Sequence, residues 1–159
     1  MRKIYNFKPK RYKNLATGVQ RICYFNVPFS AHVKERADDL LRRVTTMPRA
    51  LKREFLKAFF DDEGCIDFRP YKNIRRVRGY QKDVSILSIV KVLLEDMGIA
   101  SNIKQPNEIV ISGKSHLIRF QKEIDFSPGV RVNGKRSNSI WKRHLEKRVI
   151  LSRAIRSYK

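Results

Sequence analysis

One stretch constrains the fold more than any other: the run LKREFLKAFFDDEGCIDF, which begins at Leu51 and Lys52 and reaches its acids at Asp61, Asp62 and Glu63 before Gly64. Its periodicity predicts a helix over about Pro48 to Asp62. Leu51, Phe55, Ala58 and Phe59 lie along one face, and Leu56 and Phe60 occupy the neighbouring one. That apolar arc is too wide for a helix with a single buried side. One face can pack on the chain's own sheet and leave the other for a second helix, with Ala58 letting that neighbour approach closely. Three consecutive acids at a helix C-terminus oppose the macrodipole, so helix stability does not account for them. Gly64 supplies the stop and the change of direction.

The acids stand out because the rest of the chain is basic. Of 159 residues, 36 are Lys or Arg against 15 Asp or Glu, a formal net charge of +21. A single-sign excess this large argues for a polyanionic partner. Nucleic acid leads; a ribosomal protein or a membrane-surface binder is the plainer alternative. Membrane insertion is not expected, because no apolar run approaches the roughly 20 residues needed to span a bilayer. Carboxylates set into a basic surface suit metal-assisted cutting of a polyphosphate. Cys23 and Cys65 are too few for a disulfide framework and read as buried thiols in a reducing cytosol, which makes the expected location cytoplasmic.

Before the acidic helix, residues 1–18 read as a basic arm or irregular strand and Arg21 to Phe29 as a strand. Ser30 would cap a helix from about Ala31 to Val44 with Val33, Ala37, Leu40, Leu41 and Val44 on its apolar face. Thr46 can cap the next helix and Pro48 fits its first turn. After it, Cys65 to Phe68 is strand-like, and Arg69 to Lys82 (RPYKNIRRVRGYQK) holds six basic residues, two tyrosines and no acid. Helical spacing returns from Val84 to Met97 and closes at Gly98. Short strands follow around Ile99 to Lys104 and Glu108 to Ser112. A helix is expected over about Ser115 to Ile124, and a last one over Ser139 to Ser157, with Trp141 anchoring it to the core. His32, His116 and His144 are isolated and carry no expected chemistry.

From Pro48 onward the order is helix-ββ-helix-ββ-helix, an α+β half-domain whose antiparallel sheet has one face under helices and the other solvated and basic. Residues 1–45 would then be an extension and 46–159 the main domain. The strand-Ser-helix pattern at Ile22 to Val44 echoes that at Ile109 to Ile124, so the first third can be read as the remnant of an earlier repeat.

The helix-acid-glycine run resembles the signature of LAGLIDADG homing endonucleases. Leu56 matches the first Leu, Ala58 the small third residue, Phe59 and Phe60 the bulky pair, Asp61 the first Asp, Glu63 the final acid and Gly64 the closing Gly. Lys57 and Asp62 depart from alanine letters, and Glu63 is one methylene longer than the family's final Asp. Leu93-Leu94 with Met97-Gly98-Ile99, and Glu123-Ile124-Asp125-Phe126, support the match, which covers about Pro48 to Leu145.

The resemblance implies a saddle-shaped DNA-binding half-domain whose signature helix packs against a second one. Phe55, Ala58, Phe59 and Asp62 would line that interface. Glu63 would be the catalytic and metal-binding acid, with the Gly64 main chain beside it and Mg²⁺ or Mn²⁺ as cofactor. Asp61 would shape the helix end. Lys135, or Arg136 in a shifted register, would be the basic catalytic residue of the water network. Arg69, Tyr71, Lys72, Arg75, Arg76, Arg78, Tyr80, Lys82, Arg131 and Arg136 would contact double-stranded DNA. With one signature helix, the chain supplies half a site and is expected to cut as a homodimer. The competing expectation is a nuclease-inactive binder on the same fold, an intron RNA maturase or a DNA-binding regulator.

Overall fold

A computed structural model describes residues 10–13, 20–23, 27–134 and 141–158. The chain divides into two compact units, Met1–Leu40 and Leu41–Lys159. In the first, β1 (Lys10–Lys13) pairs antiparallel with β2 (Gln20–Cys23), and α1 runs from Val27 to Arg43 with no buried residue. The strand expected as far as Phe29 is therefore shorter, and Ser30 lies inside a helix rather than capping it. Pro28 explains the difference: in a first helical turn its missing N–H forfeits no hydrogen bond.

The second unit follows the expected order. It comprises α2 (Arg49–Glu63), β3 (Gly64–Arg69), β4 (Ile74–Tyr80), α3 (Val84–Asp96), β5 (Asn102–Lys104), β6 (Glu108–Ser112), α4 (Lys114–Glu123) and α5 (Lys147–Arg156). The sheet is antiparallel throughout, in the order β3-β4-β6-β5. Pro48 occupies the N-cap position of α2; Thr46, expected as its cap, instead donates its hydroxyl back to the Arg43 carbonyl at 2.9 Å. Among the described residues, no helix is long and apolar enough to cross a membrane.

Strand alternation sorts the side chains. On β3, Gly64, Ile66 and Phe68 are buried toward the helices, and Cys65, Asp67 and Arg69 face the other way. Cys65 is thus exposed rather than the buried thiol expected. On β4, Val77 and Gly79 are buried with the helix side, and the strand register sets Arg76 opposite Asp67 and Arg78 opposite Cys65 on the open face. Leu56 and Phe60 of α2 are fully buried in the core between the sheet and the helices. Phe60 meets Phe120 of α4 edge-on at 4.9 Å, and Phe120 meets Phe126 at 5.5 Å.

Basic residues on the first turns of α2 hold the C-terminal ends of two neighbouring helices. Arg49 donates to the Asp96 carbonyl at 3.0 Å and to the Glu123 carboxylate at 3.0 Å. Lys52 reaches the Asp96 carboxylate at 2.6 Å, and Arg53 donates to the Glu123 carbonyl at 2.7 Å. These cations sit where helix carbonyls would otherwise lack partners. They fix the start of α2 against the ends of α3 and α4.

The last helix departs from expectation. Residues 141–146 are not helical, and α5 starts only at Lys147. Val132 N–H donates to the Leu145 carbonyl at 2.9 Å and Lys147 N–H to the Val130 carbonyl at 2.9 Å, so this stretch pairs with residues 130–132. Trp141 therefore anchors a non-helical segment, its ring 6.0 Å from Phe68. Residues 139 and 140 lie outside the described residues.

Candidate acidic helix end and basic sheet face

The last turn of α2 is held by contacts that leave two of its acids free for solvent. Asp61 accepts a hydrogen bond from the Ser127 N–H at 2.9 Å. Asp62 and Glu63 are exposed. Gly64 N–H donates to the Phe60 carbonyl, and a Cβ on Gly64 would overlap that same oxygen. Gly64 has φ −85 and ψ 149, ordinary extended backbone, so glycine is required here by close approach and not by a left-handed conformation. Gly64→Ala is expected to destabilise the fold by about 2–3 kcal/mol through overpacking against backbone, read as a drop in the thermal or urea midpoint.

Lys147 is the residue that sequence reasoning missed. It is 7% exposed at the start of α5. Its Nζ donates to the Asp61 carbonyl at 2.6 Å and the Phe60 carbonyl at 3.2 Å, and lies 5.5 Å from the Phe126 ring centre. Desolvation by burial pushes its pKa below the ordinary lysine value, although the nearby acids, Asp61 foremost, pull the other way. A cation on these carbonyls answers the dipole that three acids oppose. The available signal was positional: Lys147 shares a helical face with Ile150, Leu151 and Ala154, all buried. Lys135 and Arg136 lie outside the described residues.

The open sheet face is less uniformly cationic than its sequence. Asp67 accepts from Arg69 Nε and Nη2, both at 2.7 Å, and from Arg76 Nε and Nη2 at 3.0 and 2.9 Å. Arg78 Nη1 lies 3.5 Å from the same carboxylate, and Arg78 also pairs with Glu108 of β6. Burial alone would raise the Asp67 pKa, but the Arg69 and Arg76 hydrogen bonds outweigh it and hold the carboxyl below its ordinary value. Arg75 points to the helix side: its Nε donates to Ser157 Oγ at 2.7 Å, and its guanidinium lies 4.8 Å from the Tyr158 ring centre. Tyr71, Lys72, Tyr80 and Lys82 are exposed or nearly so, Tyr71 at 75%. Lys104, on β5 opposite Glu108, is a further exposed cation that the sequence stripe did not include.

Between the edge of β3 and residues 131–133 and 141 lies a cleft of roughly 640 Å³, lined by Asp62, Cys65, Asp67, Arg131, Trp141 and Lys147 among others. Arg131 is exposed there, with Glu146 4.0 Å away. The outward side of α2 carries an apolar stripe with exposed Glu54 beside it. Leu51 is 52% exposed, Ala58 is exposed and Phe55 is only partly buried. Phe59 instead turns inward, where a Cβ on Gly79 would meet its ring at 2.6 Å. Among the described residues, no group of three His, Cys, Asp or Glu side chains converges as a metal cage.

This arrangement can be set against known proteins. Residues 50–125 match the model of the LAGLIDADG-like domain. Among solved structures, the chain is similar to I-DmoI in complex with its target DNA and in the presence of Mn, at 18% identity and a TM-score of 0.53. It is also similar to a set of mesophilic variants of the homing endonuclease I-DmoI, at 16% identity and a TM-score of 0.53. Each likeness covers 77% of this chain but only 65% and 66% of those chains, just under two-thirds of their length. No curated protein matches the chain. Residues 50–125 are thus a LAGLIDADG-like domain, with its signature helix leading an α-ββ-α-ββ-α order around an antiparallel sheet.

Proposed function

We propose that the chain is a site-specific DNA endonuclease of homing type that hydrolyses phosphodiesters with a divalent metal and works as a homodimer. The observation that carries this reading is the end of α2. An exposed Glu63 carboxylate stands next to Gly64 at the end of a helix whose Phe60 and Asp61 carbonyls hold the buried Lys147 ammonium and whose outward side carries an apolar stripe. The metal fit is partial within one chain. Glu63 offers a hard oxygen donor suited to Mg²⁺ or Mn²⁺, with the Gly64 main chain beside it, but no cage of three side chains forms among the described residues. A second copy meeting the outward face of α2 through Leu51, Phe55 and Ala58 would bring a second Glu63 to the same place. When bound, the metal would offset charge on the transferring phosphate and activate water. Among the described residues, Lys147 would be a basic group at the acid end, holding the Asp61 carbonyl and lending positive potential beside the phosphate. The I-DmoI complex with target DNA and Mn supports both the DNA and the metal part of this reading. The exposed lysines Lys72, Lys82 and Lys104 would track phosphates. Arg75, engaged by the C-terminal residues, is left out of the contact set.

Two measurements test it together. Light scattering on duplex DNA should find two chains per site, and a chain that stays monomeric on DNA would count heavily against the dimer. Affinity for duplex DNA should fall about 10³-fold between roughly 50 and 200 mM salt, as expected for about six neutralised phosphates. A flat salt response sinks the electrostatic part. Stronger binding to folded intron RNA than to duplex DNA at matched salt would point to an RNA maturase in place of the nuclease.

A further inference from the structure

We infer that Asp67 converts Arg69 and Arg76 from phosphate-binding cations into guanine readers, so that this corner of the open sheet face supplies sequence discrimination and little of the affinity. The inference rests on the reading that this face meets duplex DNA, and it concerns how the face divides its work.

The geometry is specific about which edge of each guanidinium is used. A guanidinium carries five N–H donors arranged around a plane. Asp67 takes the Nε and Nη2 edge of both Arg69 and Arg76. In each case the Nη1 group and the second hydrogen of Nη2 remain, and these form the outer fork. That fork matches the O6 and N7 acceptors of guanine in the major groove. A held arginine loses less rotamer freedom on meeting a base than a loose one does. Both side chains are still accessible, Arg69 at 30% and Arg76 at 25%, while Asp67 beneath them is at 11%.

Charge points the same way. The arginines 69, 76 and 78 share the two carboxylates of Asp67 and Glu108, so most of their positive charge is answered within the protein. A group arranged to attract phosphate would not be neutralised in place. Sequence-independent attraction is left to exposed cations outside the cluster, Lys72, Lys82 and Lys104. The cluster keeps directional donors and gives up long-range pull. That combination suits a base edge, which is polar and uncharged, better than a phosphate, which is charged and tolerant of geometry.

The test uses the full chain, a library of duplexes with a randomised core, and a poly(dA)·poly(dT) duplex that holds no guanine. Selection with the unaltered protein should enrich guanine at fixed positions about tenfold over the other bases. Asp67→Asn should remove most of that enrichment and tighten binding to poly(dA)·poly(dT) about threefold, because it releases positive charge. Arg76→Lys, which keeps the charge and loses the fork, should erase guanine preference at one position. The two variants together protect against a misfolded Asp67→Asn. A purely structural ion cluster would instead weaken both kinds of binding in Asp67→Asn, and that result overturns the inference. So does a selected site without guanine, or one whose guanines persist in both variants. If the unaltered protein binds no duplex at all, the DNA reading itself fails and this inference falls with it.

Discussion

Replacing Glu63 by glutamine is expected to lower cleavage of a selected duplex by about 10³-fold, with duplex affinity in the absence of metal unchanged within about threefold. The size follows from what the carboxylate would do. A metal-bound phosphate draws several kcal/mol of charge stabilisation from the site, and each 1.36 kcal/mol lost is about a factor of ten in rate. Glutamine keeps the shape and one acceptor oxygen but gives up the charge that holds a divalent ion. The fold should not register the change, because Glu63 is exposed and makes no ion pair among the described residues; a stability shift beyond about 0.5 kcal/mol would be surprising for such a position. Asp62→Asn is the matched control. It removes a charge one residue away and should leave cleavage within about threefold. Single-turnover cleavage in Mg²⁺ or Mn²⁺, alongside binding by fluorescence anisotropy, separates the cases. Full cutting by Glu63→Gln removes this residue from the site, and loss of binding alone would make the helix end a DNA contact.

The helices and β3 were legible from their periods, 3.6 for Leu56, Phe59 and Phe60 or for Leu87, Val90 and Leu94, and 2 for Ile66 and Phe68, while β4 was legible only from its basic, turn-containing character. Near the C-terminus the same logic misled. Trp141 and Leu145 have helical spacing, but their apolar surface is used in a non-helical segment that covers Phe68 and pairs with residues 130–132. Periodicity records which side chains need burial and not which backbone delivers them. The candidate site divides in the same manner. Glu63 and Gly64 were visible in a local string. The partners of Arg76 and Arg78 were not, because Asp67 and Glu108 reach them across strands, and a stripe that looks free of acid is paired once the sheet forms. Lys147 was hidden for a different reason. A lysine in a basic segment reads as solvated, and only the packing of α5 on the end of α2 shows that its ammonium is needed inside.

Lys147→Met is therefore the substitution that separates a cap from a working group. Methionine fills nearly the same length without charge or donor. Two effects on stability oppose each other. The charged hydrogen bonds to the Phe60 and Asp61 carbonyls are lost, at about 1.5–3 kcal/mol for bonds to an ionised group. Against that, a buried ammonium no longer has to be desolvated, which offsets part of the loss. The net destabilisation expected is about 1–2 kcal/mol, enough to lower a melting midpoint and too little to unfold the domain. The pH dependence carries the sign of the same balance. Folding depresses the Lys147 pKa, so near the ordinary lysine value of 10.5 the unfolded chain binds more protons than the folded one. This group alone then makes the unaltered protein gain stability as pH rises through the depressed value toward 10.5, and the gain should be absent in Lys147→Met. Cleavage should fall further than stability explains, by about 100-fold at a temperature where both proteins are folded, because the positive potential beside Glu63 is gone. Duplex affinity should change by only about threefold, since Lys147 is buried and cannot track a phosphate at the surface. A variant that cuts as fast as the unaltered protein once folded would reduce Lys147 to a helix cap, and the basic partner of Glu63 would then have to be sought elsewhere.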